Sequence, residues 1–480
     1  MKLKKSKEDS LSSSKTHGRI YTPNYLVQII LDFAGYKVSN KEILGRHIID
    51  NSCGDGAFLC EITERYCNLF LENSSDKKSL REHLQTYIHG IEIDVDEHDK
   101  CIKRLNSIMR KYEIEDVSWD IICKDTLAVK RYNGKMDYVV GNPPYVRVHN
   151  LESSYESVKQ FDFAQKGMTD LFIVFFEIGF NMLSKEGKMC IITPSSWLSS
   201  TAGKCLREYV CKHNNLCGLI DLEHFQAFNA TTYTMISLFD TNSHSSINYC
   251  TYDGIEMKSK VTNLKYDDFV IDGSFYLSDP LTLDNLRSIK QSTNNCLAKV
   301  KNGFATLADK IFIGDFDLTG NYIIDVVKAS TGKWTKCIFP YNLNSKIVSE
   351  EEIENENYQL YSYLLSKKEK LINERDIERN QPWYAFGRSQ AIKDVYLNKY
   401  SINALVKDTE SIKLRQVPSG KGVYSGLYIL SEVDFEIIKE IIVSDSFIEY
   451  VKALKNYKSG GYYTFKSKDL EMFINYKLNN

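Results

Sequence analysis

Two oxygen acceptors and an aromatic ring converge in Asn142-Pro143-Pro144-Tyr145, directly after the apolar run MDYVVG. The prolines fix φ and lack backbone donors, which leaves the Pro143 carbonyl available to a ligand. Together with the Asn142 side-chain oxygen it can accept both N–H groups of a flat exocyclic amine such as adenine N6. The lone pair of such an amine is delocalised into its ring. Two acceptors let the nitrogen pyramidalise and regain nucleophilicity, a gain concentrated in the transition state. Tyr145 can stack on the same ring and align it with an incoming methyl group. The plain alternative is a proline-rich turn after a buried strand. In a chain with 8 prolines the tetrapeptide weighs toward chemistry, provided a cofactor site lies upstream.

The elements that would supply that site come in order. HIID is a short apolar run ending at Asp50; NSCGDGAFL and a helical pattern through CEITERY follow it. This reads as strand, glycine loop and helix, with Cys53 a small residue of the loop and Gly54 and Gly56 allowing close backbone approach. A second run, YIHGIEID, places Glu92 near its end, where an acid can bind both hydroxyls of a ribose. The nicotinamide fingerprint has three glycines and an acid about 20 residues on. Here the third glycine is missing and the acid is farther away, so S-adenosylmethionine fits better than NAD. WDIICKDTLAV puts Asp125 after a third strand, and MDYVVG is the fourth. Each strand end carries a polar residue, the arrangement of a ligand site at the carboxyl edge of a parallel α/β sheet.

With these parts in this order, the chain resembles the gamma-class N6-adenine DNA methyltransferases, the Taq-like group of restriction–modification systems. GRIYTPNYLVQIIL is similar to motif X of that family, DNSCGDGAF to motif I, GIEID to motif II, KDTL to motif III and GNPPY to motif IV. The resemblance implies that Tyr21, Thr22 and Pro23 touch the methionine end of S-adenosylmethionine. It also implies that Asp50 binds the amino group, Glu92 the ribose and Asp125 the adenine amine, with Ile93 and Phe175 against the adenine ring. AFNATTYTMISLFD resembles motif VIII, which makes Phe228 the second stacking partner of a flipped base, with Phe225 as its rival. Two departures stand out: Asn51 replaces a frequent proline, and Thr126 occupies a frequent aromatic position.

The implied fold is α/β, a Rossmann-like S-adenosylmethionine-dependent methyltransferase domain followed by a mixed α+β target-recognition domain. At 480 residues and 43% hydrophobic, the chain can bury two cores. We assign residues 1–16 to a flexible arm, 17–245 to the catalytic domain and 246–480 to the recognition domain, with the seam near SHSSINYCTYDG. The lysine- and serine-rich leader has no apolar core, so it is no signal peptide, and LFIVFFEIGF is too short to span a membrane. The 12 cysteines form no C-x-x-C pair, which argues against a zinc site and for free thiols in a reducing cytoplasm. Direct methyl transfer needs no metal and no cysteine nucleophile.

A net charge of −2 weighs mildly against a nucleic-acid partner, although acidic runs such as EEEIENEN can mask a positive cleft. By resemblance, the partner is double-stranded DNA, with a cognate restriction endonuclease as a possible companion. In the second half, Arg375, Arg388, Gln390, Lys413, Arg415 and Lys421 are candidates to reach phosphates or base edges. GRSQ heads that set, because Gly387 permits close approach. NYQLYSYLLSKKEKLINERD patterns as one surface helix. The alternative readings are a protein-glutamine or RNA-amine methyltransferase using the same turn, or a non-catalytic DNA-binding subunit.

Overall fold

The computed structural model describes residues 21–147, 155–167, 169–228, 232–293, 295–375 and 381–480. The leader assigned as a flexible arm lies outside them. The chain forms two units, Met1–Leu283 and Asp284–Asn480.

The first unit is built on the runs that the sequence marks as strands: β1 (Ile48–Asp50), β2 (Ile88–Glu92), β3 (Asp120–Cys123) and β4 (Met136–Gly141). They are joined by β5 (Leu183–Pro194), β6 (Leu216–Asp221), β7 (Thr234–Asp240), β8 (Ser246–Tyr252) and β9 (Met257–Lys265). The spatial order is β3-β2-β1-β4-β5-β7-β6-β8-β9. β1 to β5 are parallel, whereas β7 runs antiparallel to both β5 and β6. Strands in such a sheet are covered on both faces, which is why they read as nearly unbroken apolar runs. This is the Rossmann-like α/β architecture.

Helices α1 (Asn24–Ala34), α2 (Ala57–Asn73), α3 (Lys77–Tyr87), α4 (Val95–Lys111), α5 (Leu171–Met182) and α6 (Lys204–His213) accompany the sheet. α1, α2 and α4 bury Leu26, Ile30, Phe58, Ile62, Cys101 and Leu105 in one core with Ile48 and Val140. The apolar run of α5 is buried almost all round. Among the described residues no helix is long and apolar enough to cross a membrane.

The domain seam is corrected. β8 pairs in parallel with β6 and antiparallel with β9, so residues beyond 246 extend the first sheet, and the division falls after Leu283. The polar start of SHSSINYCTY reads as a linker, yet its alternation buries Ile247 and Tyr249.

The second unit is mixed α+β. One four-stranded sheet orders Ala298–Asn302, Leu427–Ser431, Lys399–Ile402 and Leu414–Val417; another orders Ile313–Gly314, Lys333–Ile338, Ile323–Lys328 and Gly422–Tyr424. The single helix expected from NYQLYSYLLSKKEKLINERD is two, Tyr358–Ser366 and Lys368–Asn373, broken at Lys367. Phe304, Phe312, Phe339, Tyr341 and Phe386 form an aromatic core.

Arg375, expected at the DNA, is instead buried against this core. Its guanidinium donates to the carbonyls of Leu371 (3.0 Å), Thr306 (3.3 Å), Ala385 (2.7 Å) and Trp383, and lies over the Phe312 ring. Four carbonyls from three chain segments accept from one side chain, only that of Thr306 also taking a backbone amide, from Gly387, and unpaired buried acceptors are costly. Arg375→Ala should therefore destabilise the second unit by about 2–3 kcal/mol. Arg375→Lys, which keeps the charge and loses the fork, should destabilise it too. Urea unfolding checks both; a lysine variant of native stability would contradict the structural role.

Candidate active site

Ligands bind an open α/β sheet where neighbouring strands send their connections in opposite directions. Here that point lies between β1 and β4, which pair Asp50 with Val140. Asp50 is buried, and its Oδ1 accepts from the Ser52 amide at 3.0 Å. A Cβ on Gly141 would stand 2.7 Å from that oxygen, so only glycine lets the two strand ends close. Ser52 Oγ reaches the Asn142 carbonyl at 3.4 Å and joins the glycine loop to the Asn-Pro-Pro-Tyr turn. Burial, reinforced by the nearby charge of Glu92, raises the pKa of Asp50 to about 7.

Gly54 has φ +52°, donates its amide to Glu92 Oε2 at 2.8 Å, and has no atom within 4 Å of where a Cβ would stand. The backbone there faces open space. Gly56 also has positive φ, but its missing Cβ serves packing, since one would meet Cys101 Sγ at 2.7 Å. Cys53 turns its thiol into the core toward Gly90 and Cys101, which holds it protonated. Its amide is spent on the Ile91 carbonyl.

Glu92 also accepts from the Asp94 amide at 2.9 Å, so two backbone donors fix its carboxylate at the end of β2. Ile93 beside it is 58% exposed, an apolar surface next to the Glu92 carboxylate. Asp125 follows β3 and accepts from the Leu127 amide. Thr126, in place of the aromatic, is buried and donates to the Asn51 carbonyl at 2.7 Å, linking the loops after β1 and β3.

From the segment ahead of α1, the exposed Tyr21 donates to Glu97 on α4 at 3.2 Å. Buried Thr22 accepts from Asn142 Nδ2 at 3.1 Å, and the Pro23 carbonyl caps α1. Motifs that stand far apart in sequence therefore meet at one edge. The donor set fits S-adenosylmethionine: Asp50 for a cationic amino group, Glu92 for ribose hydroxyls, Asp125 for an adenine amine, and Ile93 for the ring.

Asn142 and Tyr145 are half-buried and Pro143 is buried. The Asn142 Oδ1 is covered in this form. Tyr145 donates to the Ile192 carbonyl at 3.2 Å. Its ring meets Phe172 and Phe228 edge-on, with centroids 6.2 and 6.4 Å away and planes at 74° and 80°. The Tyr145 and Phe228 rings are thus not parallel to one another here. Phe228 is nevertheless the motif VIII aromatic that touches Tyr145, whereas Phe225 packs on Tyr25, Tyr252 and Gly254. Phe175 is buried on α5, and Phe172, one turn earlier, is the aromatic of that helix at the turn. Nothing in the sequence set Phe172 apart from the other aromatics of that run.

In the second unit, Gly387 allows packing rather than ligand approach, since a Cβ would lie 2.3 Å from Leu307. Arg388 and Gln390 are exposed but bond backbone carbonyls of Gly387 and Gly303. Lys413 bonds the Glu410 carbonyl, and Lys421 pairs with Asp325 at 2.9 Å beneath Trp334. Arg415 is exposed on its strand, beside Gly332.

Residues 57–228 match the Eco57I restriction-modification methylase family. The chain is 25% identical over 431 residues to the Type II methyltransferase M.BstVI of Geobacillus stearothermophilus, covering 78% of this chain and 74% of that one. It is 19% identical over 498 residues to the Type II methyltransferase M.AccI of Acinetobacter calcoaceticus, covering 97% and 86%. In fold it is similar to the Type IIL restriction-modification enzyme MmeI, solved in complex with DNA, with a TM-score of 0.64 at 11% identity. That likeness covers 92% of this chain and 64% of MmeI. Glycine loop, Asn142 turn and α5 all fall within the matched segment or beside it, and the chain is similar over that segment to the restriction–modification methylases of the Eco57I family.

Proposed function

We propose that this protein methylates adenine N6 in double-stranded DNA at a specific site, using S-adenosylmethionine, as the modification enzyme of a restriction–modification system. The observation that carries the reading is the seating of the Asn142 turn beside the Gly54 loop, joined through Ser52, at the switch point of the sheet. The relatives' names, Type II methyltransferases, and the DNA bound by MmeI support it. The second unit is the part assigned to target recognition, with exposed Arg388, Gln390 and Arg415 and half-buried Lys421 as its candidate contacts.

When bound, S-adenosylmethionine supplies an electrophilic methyl group on a sulfonium. Asp50 and Glu92 hold the donor at its charged and hydroxylated ends, and the Gly54 backbone leaves room for it. An adenine swung out of the duplex, at a cost of a few kcal/mol, stacks on Tyr145. For a base to enter, the edge-on contact of Phe228 with Tyr145 opens and the Asn142 oxygen is uncovered. Asn142 and the Pro143 carbonyl then accept the N6 protons and leave its lone pair directed at the methyl group. The excess proton leaves with water after transfer.

Asn142→Ala should lower turnover roughly a hundred- to thousand-fold while the dissociation constant of S-adenosylmethionine changes little. Labelled methyl should appear in the DNA fraction as N6-methyladenine. Label in protein or RNA, or on cytosine, would overturn the assignment of substrate.

The Thr22 contact separates two roles for motif X. If Thr22 orients the Asn142 amide, Thr22→Val lowers kcat about tenfold at unchanged cofactor affinity, and Thr22→Ser restores it. If Thr22 serves the cofactor, titration calorimetry shows a weakened dissociation constant instead.

The raised pKa of Asp50 gives a pH signature. An ammonium group prefers the ionised carboxylate, so cofactor affinity should rise as pH climbs through about 7. For the empty protein the sign is opposite. A carboxyl whose folded pKa exceeds its unfolded value of 3.8 stabilises the fold at low pH, and that contribution fades between there and about 7. Asp50→Asn should flatten the affinity profile and weaken binding throughout. An equally steep profile in that variant would assign the titration elsewhere.

A further inference from the structure

Away from the Asn142 edge, three potential metal ligands of different chemistry meet: Cys217, Asp240 and His244, their ligand atoms all within 4.8 Å of one another. His244 Nε2 lies 2.8 Å from Asp240 Oδ1 and 3.4 Å from Cys217 Sγ. Ligand atoms on a tetrahedral zinc ion, at bond lengths of about 2.0–2.3 Å, are separated by roughly 3.3–3.7 Å. The cluster is near that size already.

Each ligand is held by its surroundings. Leu216 pairs with Phe239 and Gly218 with Leu238, so Cys217 is the extra residue of a β-bulge, a device that re-aims a side chain. The Tyr266 hydroxyl braces the neighbouring strand residue, accepting from the Leu216 amide at 2.9 Å and donating to its carbonyl. The amides of Asp240 and His244 donate to the carbonyls of Asn215 and Asn214, fixing both ligands beside the head of β6. The Asn242 amide orients the Asp240 carboxylate at 2.8 Å, the kind of outer contact that steadies a ligating acid. Lys188 stands opposite Asp240 across the β5–β7 ladder.

We propose that Cys217, Asp240 and His244 form a structural site for one divalent cation of zinc type, with water as the fourth ligand. Thiolate and imidazole suit zinc and disfavour magnesium or calcium, which take oxygen shells. One thiolate and one carboxylate neutralise the two positive charges. On binding, the thiol proton passes to solvent, and the Nε2 proton that His244 donates to Asp240 moves through solvent to Nδ1, which frees Nε2 for the cation. The site clamps the turn between β7 and β8 onto the start of β6. β4, β5 and β6 run in the same direction, so the cation sits at the sheet edge opposite the Asn142 turn and takes no part in methyl transfer. No C-x-x-C spacing announces it, because its ligands come from separate strand ends.

The test uses the full-length protein, stripped with a chelator and titrated with cobalt(II) and zinc. One equivalent of cobalt should give a thiolate charge-transfer band and intense tetrahedral visible bands. Zinc should displace it and raise the Tm by several degrees. Cys217→Ser should abolish the charge-transfer band, and His244→Gln and Asp240→Asn should each weaken zinc at least tenfold. Cys123→Ser, which changes an exposed thiol elsewhere, should do neither. No thiolate band in the unmutated protein, zinc binding weaker than millimolar, or equal uptake by the Cys217 and His244 variants would overturn the proposal.

Discussion

Everything at the candidate site depends on how closely β1 and β4 end together. The Asp50 carboxylate occupies the space where any side chain on Gly141 would stand, so the glycine is what allows an acid and the Asn142 turn to share one edge. From that approach follow the Ser52 link to the turn, the Thr126 link to the third loop and the Gly54 bond to Glu92. The same closeness removes Asp50 from water and raises its pKa toward neutrality. A buried acid without a cationic partner is a cost to the fold, and that cost is recovered when a positive group arrives. The strongest preference of this pocket is therefore for a ligand carrying a cation at one defined point.

The aromatic side of the site stores the opposite bias. Tyr145, Phe172 and Phe228 meet edge-to-face, an arrangement worth about 0.5–1.5 kcal/mol per pair beyond the area it buries. Opening one such contact is small beside the few kcal/mol needed to extrude a base from a duplex. In the proposed reaction, stacking of a base on Tyr145 would replace what opening loses. A closed resting arrangement thus keeps apolar rings out of water while adding little to the barrier that the proposed base capture would face.

The convergence of the candidate edge was legible in the sequence, because each strand end combines an apolar run with a polar residue set by its own neighbours. Asp50, Glu92, Asp125 and Asn142 are read from their own neighbours, and their convergence follows from parallel topology. What was not legible depends on partners far along the chain. Arg375 looks like any surface cation in a charged helix until four carbonyls are seen around it. Gly387 looks like a site of ligand approach until Leu307 is seen filling its space. Thr126 looks like a missing aromatic, but its hydroxyl ties two loops together, a role that depends on the distant Asn51 carbonyl. The domain seam failed for a related reason: polar residues at the start of a strand resemble a linker when its partner strand lies some thirty positions upstream.

The two ends of the same strands are built on different terms. At the carboxyl edge of β1 to β4 the polar groups leave room, with open space over Gly54 and an exposed Ile93 next to Glu92. At the opposite edge they interlock: His47 contacts His89 at 2.9 Å, His89 contacts Asp120 at 2.6 Å, and Asp120 pairs with Arg131. Cys217, Asp240 and His244 form a second closed group at the head of β6. A ligand site needs unsatisfied capacity and accepts instability as its consequence. Interlocked polar groups at the far ends hold the register of strands that could otherwise slip, without placing any rigid contact where the proposed base and methyl donor would enter. A sheet divided in this way can tolerate a partly open edge because its opposite edge keeps the strands aligned.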